Sequence, residues 1–248
     1  MSSTNALYTD LSAYYDLMCA DIDYQQQSSA IARLAQCFGN GGSTHLDLAC
    51  GTGPHLRYFI DAGYQCSGLD LHQPMLTMAA ARCPEATLFQ QDMCDFQLTQ
   101  PVDLITCFLY SLHYTGSIAS LQACIARVHA ALTPQGLFCF NTVDKDKINN
   151  QSHISHHVTH QDSHFIFESG WFYAGEGEAQ ALKLKISKTT GTETLVWHDS
   201  HPMVAVSFAQ LQQLLQPYFD VQLLEHDYEK IVPWDQQSGN ALVVCVKK

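Results

Sequence analysis

From Tyr24 to Phe38 the apolar residues Ile31, Leu34, Ala35 and Phe38 recur at helical spacing, and Gly39-Asn40-Gly41-Gly42 ends the helix. A compact apolar run, Thr44 to Ala49, predicts a buried strand, followed by a glycine turn and a helix from Pro54 to Asp61. Ala62-Gly63 closes that helix, and Tyr64 to Asp70 reads as a second strand. Pro74, tolerated in a first helical turn, opens a helix running to Arg82. Short strands are expected at Thr87 to Gln91 and Val102 to Phe108, then a long amphipathic helix from Ser117 to Leu132. Thr133-Pro134-Gln135-Gly136 predicts a turn into the strand Leu137 to Val143. Strands alternating with helices imply βαβ units and a mostly parallel sheet.

The rhythm changes after residue 143. Residues 150–205 hold no good helix but several alternating, β-branched and aromatic stretches: Phe165 to Phe167, Trp171 to Tyr173, Leu182 to Thr189 and Thr194 to His198. With Gly175-Glu176-Gly177 and Gly191 as turns, they predict an antiparallel β insertion. Helical spacing returns from Ser207 to Tyr218, and strands at Asp220 to His226 and Ala241 to Lys247 complete the sheet as an antiparallel pair. The expected organisation is a helical lid (1–40), a ligand-binding α/β core (41–149), a β cap (150–205), and a last helix with two strands of the core sheet (206–248).

Composition narrows the function classes. The chain has 248 residues, 46% apolar and 15% charged, as in a globular protein. Its formal charge is −12 with only 12 Lys and Arg, which works against binding a phosphate backbone and so against a nucleic-acid partner. The start, Met1 to Asp10, lacks the basic stretch and apolar run of a secretion signal, and the most apolar segment, Val102 to Leu112, is core-strand length. No membrane association is expected. Ten cysteines are scattered without a Cys-x-x-Cys pair, and Cys66, Cys107, Cys139 and Cys245 fall in predicted strands, a usage that suits a reducing cytoplasm.

Most of the chemistry lies in Leu46-Asp47-Leu48-Ala49-Cys50-Gly51-Thr52-Gly53-Pro54. A strand runs into two glycines and a helix start, so a ligand can approach the backbone and meet free N–H donors. A tight βα turn is the bland alternative. A dinucleotide fingerprint needs a third glycine where this chain has Leu56, and Asp47 would repel a pyrophosphate while suiting a cationic amino group. Asp70 ends the second strand about twenty residues on, where an acid can take both hydroxyls of a ribose. Asp92-Met93 ends the third strand, where a carboxylate can accept from an adenine amino group and the thioether can pack on the ring. All three acids fall at strand C-termini, the ligand side of open α/β sheets.

These residues resemble the class I S-adenosylmethionine (SAM)-dependent methyltransferases. Asp47 to Gly53 is similar to the family's acidic, glycine-rich first motif, with Ala49 where the fuller pattern has glycine. Phe108-Leu109-Tyr110-Ser111 resembles the segment bordering the methyl group, and Leu132 to Gly136 the turn before the fifth strand, with Gln135 replacing a glycine. Tyr14-Tyr15-Asp16-Leu17, His45 to Leu56, Ala86 to Met93 and the β insertion resemble small-molecule members such as amino-sugar N,N-dimethyltransferases. The resemblance implies an α/β, doubly wound, seven-stranded, mostly parallel Rossmann-like sheet with an antiparallel β cap. It implies SAM as cofactor, S-adenosylhomocysteine as product, and cofactor contacts from Tyr14, Asp47, Ala49, Gly51, Gly53, Asp70, Leu71, Asp92, Met93 and Phe108.

Because the leaving group is already activated, such an enzyme chiefly has to hold the acceptor close, aligned and unprotonated. Tyr15 from the lid and His113 and Tyr114 after the fourth strand are the candidates beside the methyl group. The expected acceptor is a small molecule, methylated at nitrogen, and the protein a monomer or homodimer. A tRNA-modification enzyme, an O-methyltransferase, a SAM-binding scaffold subunit and an NAD-linked oxidoreductase are the competing readings. Histidines 153, 156, 157, 160 and 164 lack zinc-site company, so no metal is expected. Trp171 and Tyr173 read as core packing, with an aromatic acceptor wall as the other possibility.

Overall fold

The structure is a computed structural model that describes residues 2–3 and 6–248; residues 1, 4 and 5 of the expected lid and polar start lie outside them. The chain begins with a short strand, β1 (Ser2–Ser3), two 3-10 turns at Ala6–Tyr8 and Ser12–Tyr14, and the single-turn helix α1 (Tyr15–Met18). Helix α2 (Tyr24–Phe38) starts where the Asp23 carboxylate accepts from Gln26 N at 2.8 Å, and it buries Ala30, Ile31 and Leu34. Then follow β2 (Thr44–Leu48), α3 (Pro54–Asp61), β3 (Gln65–Asp70), α4 (Gln73–Arg82), β4 (Thr87–Gln90), β5 (Val102–Cys107), α5 (Ile118–Ala131) and β6 (Leu132–Val143). The insertion supplies β7 (Ile154–His160), β8 (Ser163–Tyr173), β9 (Ala179–Thr190) and β10 (Glu193–Val204). Helix α6 (Phe208–Leu215), β11 (Phe219–Glu225) and β12 (Asn240–Lys247) finish the chain.

Seven strands form the main sheet in the order β11-β12-β6-β5-β2-β3-β4, all parallel neighbours except β12, which runs antiparallel to β6 and β11. Period-two alternation divides each strand between two layers. Leu46, Leu48, Ile105, Cys107, Phe138 and Phe140 pack against α5 and α6, while Leu104, Leu137 and Cys139 meet α2 and Phe59 of α3. The sheet is therefore doubly wound. Strand order reverses between β2 and its neighbours β3 and β5, and the crevice at such a reversal is where open α/β sheets take ligands.

One expectation needs correction. Thr133 to Gly136 is not a turn preceding a strand but part of β6, which pairs with β5 at both Val102–Leu132 and Leu104–Leu137. The four residues bulge between those pairs, with Gln135 at φ 57°.

Strands β7 to β10 form an antiparallel meander, with β1 added in parallel to the far edge of β10. Its apolar face, with Phe165, Phe167, Leu184 and Ile186, packs on Leu7, Leu11, Tyr14, Tyr15, Leu17 and Met18 from the N-terminal segment. Among the described residues no helix is long and apolar enough to cross a membrane.

Candidate active site

The β2–α3 turn is built from left-handed backbone: Ala49 at φ 54°, Gly51 at 55° and Gly53 at 81°. The two glycines serve different purposes. A Cβ on Gly51 would stand 3.8 Å from the Tyr15 ring, on the cavity side, whereas one on Gly53 would press to 3.2 Å from the Ala79 Cβ of α4. Gly53 thus permits close helix packing and caps α3.

A cavity of about 150 Å³ opens at the C-terminal ends of β2, β3 and β4, lined by Ala49 and Gly51, by Asp70, Leu71 and His72, and by Asp92 and Met93. Asp70 is fixed by two backbone donors, Gly51 N to Oδ2 at 3.0 Å and His72 N to Oδ1 at 2.9 Å. Each oxygen retains a further lone-pair direction for a ligand. Burial pushes its pKa above the ordinary carboxylate value, against the pull of those N–H groups. Asp92 is exposed and caps Cys94 N at 2.8 Å, and Leu71 presents 57% of its surface. An exposed leucine facing a thioether across a cavity suits a flat apolar ring.

Asp47 is placed differently from the other two acids. It lies 2% exposed behind the turn, bordering a separate space of about 20 Å³ with Tyr24, His55 and Phe108. That space shares Tyr15, Ala49, Leu109 and Ser111 with the larger cavity. Thr106 donates to Asp47 Oδ1 at 2.6 Å, and the Thr106 oxygen lies 2.8 Å from His45 Nε2. Burial pushes Asp47 up to about 7 and holds His45 down at about 3, so the imidazole is neutral. Asp70 and Asp92 therefore line one cavity directly, and Asp47 stands at its back.

A second cavity, about 540 Å³, lies under the β cap, with Phe167, Trp171, Leu182, Leu184 and Ile186 among its walls. Tyr8, Tyr15, Leu109 and Tyr114 line both cavities and form the wall they share. Trp171 thus faces the cavity rather than filling a core. Leu109 and Tyr110 hold this wall in consecutive left-handed conformations, φ 53° and 61°, with Tyr110 N donating to Asn141 Oδ1 at 3.0 Å. Backbone of this kind costs about 1–3 kcal/mol per residue and concentrates at functional sites.

Three further expected site residues line neither of the two larger cavities. His113 faces the interior: Nδ1 lies 2.8 Å from Val204 O and 2.9 Å from Gln180 Nε2, and Nε2 lies 3.0 Å from Thr142 Oγ1. Burial lowers its pKa to about 4, and both ring nitrogens are engaged between β9, β10 and β6. Tyr14 packs between Phe165 and Trp197 of the cap, and Lys188 Nζ donates to its hydroxyl at 3.3 Å; it lines neither cavity. Phe108 borders only the small space beside Asp47, its ring 5.1 Å from His55.

Comparison with known proteins matches residues 46–136, β2 through the bulge of β6, to the family described as "Methyltransferase domain". The matched segment holds Asp47, Gly51, Asp70 and Asp92 of the candidate site. It is 35% identical over 115 residues to a dTDP-3-amino-3,6-dideoxy-alpha-D-glucopyranose N,N-dimethyltransferase of Streptomyces fradiae, a match covering 46% of this chain and 45% of that one. A dTDP-3-amino-3,4,6-trideoxy-alpha-D-glucopyranose N,N-dimethyltransferase of Streptomyces venezuelae is 37% identical over 46% of this chain and 48% of its own. The chain thus spans about half the length of these curated relatives. Among solved structures, DesVI of S. venezuelae superposes with a TM-score of 0.83 at 26% identity, covering 97% of this chain and 99% of that one.

Several residues of this candidate site carry no motif. Tyr8 sits in an aperiodic segment, and His72 follows a strand like any loop residue. On β10, Asp199 and His201 are buried beside Tyr114, and their only signal was two polar residues on one face of an otherwise alternating strand. The five discounted histidines lie on β7, at the start of β8 and just before β7; among the described residues no three metal-ligating side chains cluster.

Proposed function

We propose that the chain binds SAM in the cavity over Gly51 and transfers its methyl group to the nitrogen of a small amine held under the β cap. The observation that carries this reading is the shared wall of Tyr8, Tyr15, Leu109 and Tyr114 between a nucleoside-sized cavity and a larger one. The cavity's chemistry fits the cofactor: an open face at Gly51, and acids at Asp70, Asp92 and, behind the turn, Asp47, which suit a cation and repel a pyrophosphate. In this reading residues 1–40 and 150–205 act as lid and cap over a core of 41–149 and 206–248.

Bound there, SAM supplies an electrophilic methyl group on a sulfonium. Asp70 would accept from the ribose hydroxyls and Asp92 from the adenine amino group, and Leu71 and Met93 would offer the ring apolar contact. Asp47 pairs with the amino group at the amino-acid end. The tyrosine wall orients the acceptor nitrogen, and closure by lid and cap excludes water. Burial pushes the Tyr15 and Tyr114 hydroxyls well above their usual pKa, so neither is ionised to take a proton from a hydroxyl acceptor, which favours an amine that needs no such help. The relatives' names, which specify amino sugars and nitrogen, support an amino-sugar acceptor.

The test is incubation of the protein and SAM with amino sugars and their hydroxyl counterparts, reading S-adenosylhomocysteine release and product mass. Methylated amines with untouched hydroxyl sugars are expected. Turnover of the hydroxyl sugars alone would overturn the nitrogen assignment.

A further inference from the structure

Behind the tyrosine wall runs a continuous chain of short hydrogen bonds. Tyr8 and Tyr114 hydroxyls lie 2.6 Å apart, Tyr114 Oη lies 2.5 Å from His201 Nδ1, and His201 Nε2 lies 3.0 Å from Asp199 Oδ2. Asp199 and His201 are 5% and 0% exposed. Asp199 also accepts from Leu7 N at 3.2 Å and Ser200 N at 2.9 Å, which locks it to both the N-terminal segment and its own strand. Of these residues only Tyr114 is a candidate from the sequence.

The polarity of the chain follows from counting hydrogens. A carboxylate only accepts, so His201 carries its hydrogen on Nε2. Burial keeps the imidazole below its ordinary pKa and hence neutral, despite Asp199, so Nδ1 is an acceptor. Tyr114 then donates to Nδ1. With its single hydrogen spent, Tyr114 accepts from Tyr8, which spends its own. Both hydroxyls reach the shared wall with only lone pairs to offer.

We propose that Asp199 and His201 are a positioning dyad that makes the Tyr8–Tyr114 wall an acceptor-only surface for the N–H of the methyl acceptor. This rests on the methyltransferase reading above and adds how the wall selects. An amine that donates its N–H to these oxygens keeps its lone pair free for the methyl carbon. As the N–C bond forms, positive charge grows on that nitrogen and its N–H bonds to the wall strengthen, so the dyad acts on the transition state more than on binding. His72, whose ring stacks on Tyr8 at 5.7 Å, and the ring of His201, 5.1 Å from Tyr8, hold the tyrosine from two sides.

The test uses His201→Phe and His201→Asn in the full chain. Phe fills the space without accepting from Tyr114, whereas an Asn amide oxygen falls near the Nδ1 position and can accept. With a wild-type amine substrate, H201F is expected to lose kcat about tenfold. KM for the amine and the calorimetric Kd for S-adenosylhomocysteine should hold within about twofold. H201N should recover most of the lost kcat. Equal kcat in H201F and wild type, or equal losses in both variants with weakened S-adenosylhomocysteine binding, would overturn the dyad. Should H201F not fold, Asp199→Asn gives the same reading from outside the wall: it removes the carboxylate that fixes the hydrogen on His201 Nε2, and the same kcat loss at unchanged KM is expected. A wild type that turns over no amine would instead overturn the function itself, so the two failures are distinct.

Discussion

Asp47 carries the sharpest conflict between stability and function at the level of single residues. Its side-chain partner is the neutral Thr106 hydroxyl, and burial holds its pKa near 7, far above that of an unfolded aspartate. A folded-state pKa raised in this way makes ionisation oppose folding. The opposition is absent below about pH 4, grows as pH rises toward 7, and is constant above. Asp47→Asn should therefore raise Tm at pH 8 and leave it nearly unchanged at pH 4, while weakening S-adenosylhomocysteine binding at least tenfold by calorimetry. The same scale shows what sequence reasoning reached. Asp70, Asp92, Met93 and Gly51 were legible because motif spacing and strand ends place them. Ala49 and Gln135, which stand where the family pattern has glycine, keep the glycine backbone at φ 54° and 57°. His113 and Tyr114 part for a geometric reason: in the 3-10 turn Ser111–Thr115 neighbouring residues point about 120° apart, so His113 enters the core and Tyr114 the cavity.

Among elements, α1 is fastened to the β2–α3 turn through a polar cluster. Asp16 of α1 accepts from Thr52 Oγ1 at 2.6 Å and pairs with Arg82 of α4 at 2.6 Å, and Arg82 donates to Thr52 O at 2.7 Å. These bonds hold Tyr15 over Gly51. The Asp16 and Arg82 side chains are about one-third exposed, so the pair contributes on the order of 1 kcal/mol. Asp16→Ala should raise KM for SAM several-fold with a smaller change in kcat; a kcat loss at unchanged KM would contradict the clamp. Helices α2, α3 and α4 were readable almost residue by residue because caps and periodicity agree. The Thr133–Gly136 bulge was not, since proline and glycine chemistry signals a chain reversal and a bulge alike. The alternation of β7 to β10 announced a sheet but not its partner, because one apolar face fits any complementary surface, here the N-terminal segment.

Across the molecule, two sheets with separate cores meet at a single seam. The parallel sheet presents strand ends and a cofactor-sized hollow; the meander presents an apolar trough and, through β10, the Asp199–His201 pair. Tyr8, Tyr15 and Tyr114 line the seam on its cavity side, and His113 bridges it from the interior. The topology of the main sheet followed from the order of strands and helices, whereas which cap residues reach the seam depends on long-range packing that no local pattern encodes. A crystal structure with S-adenosylhomocysteine bound tests the central claim most directly. The account predicts the ribose on Asp70, the adenine between Leu71 and Met93, and the sulfur turned toward Tyr8, Tyr15 and Tyr114. A nucleoside seated under the β cap, or a sulfur facing away from the tyrosine wall, would contradict it.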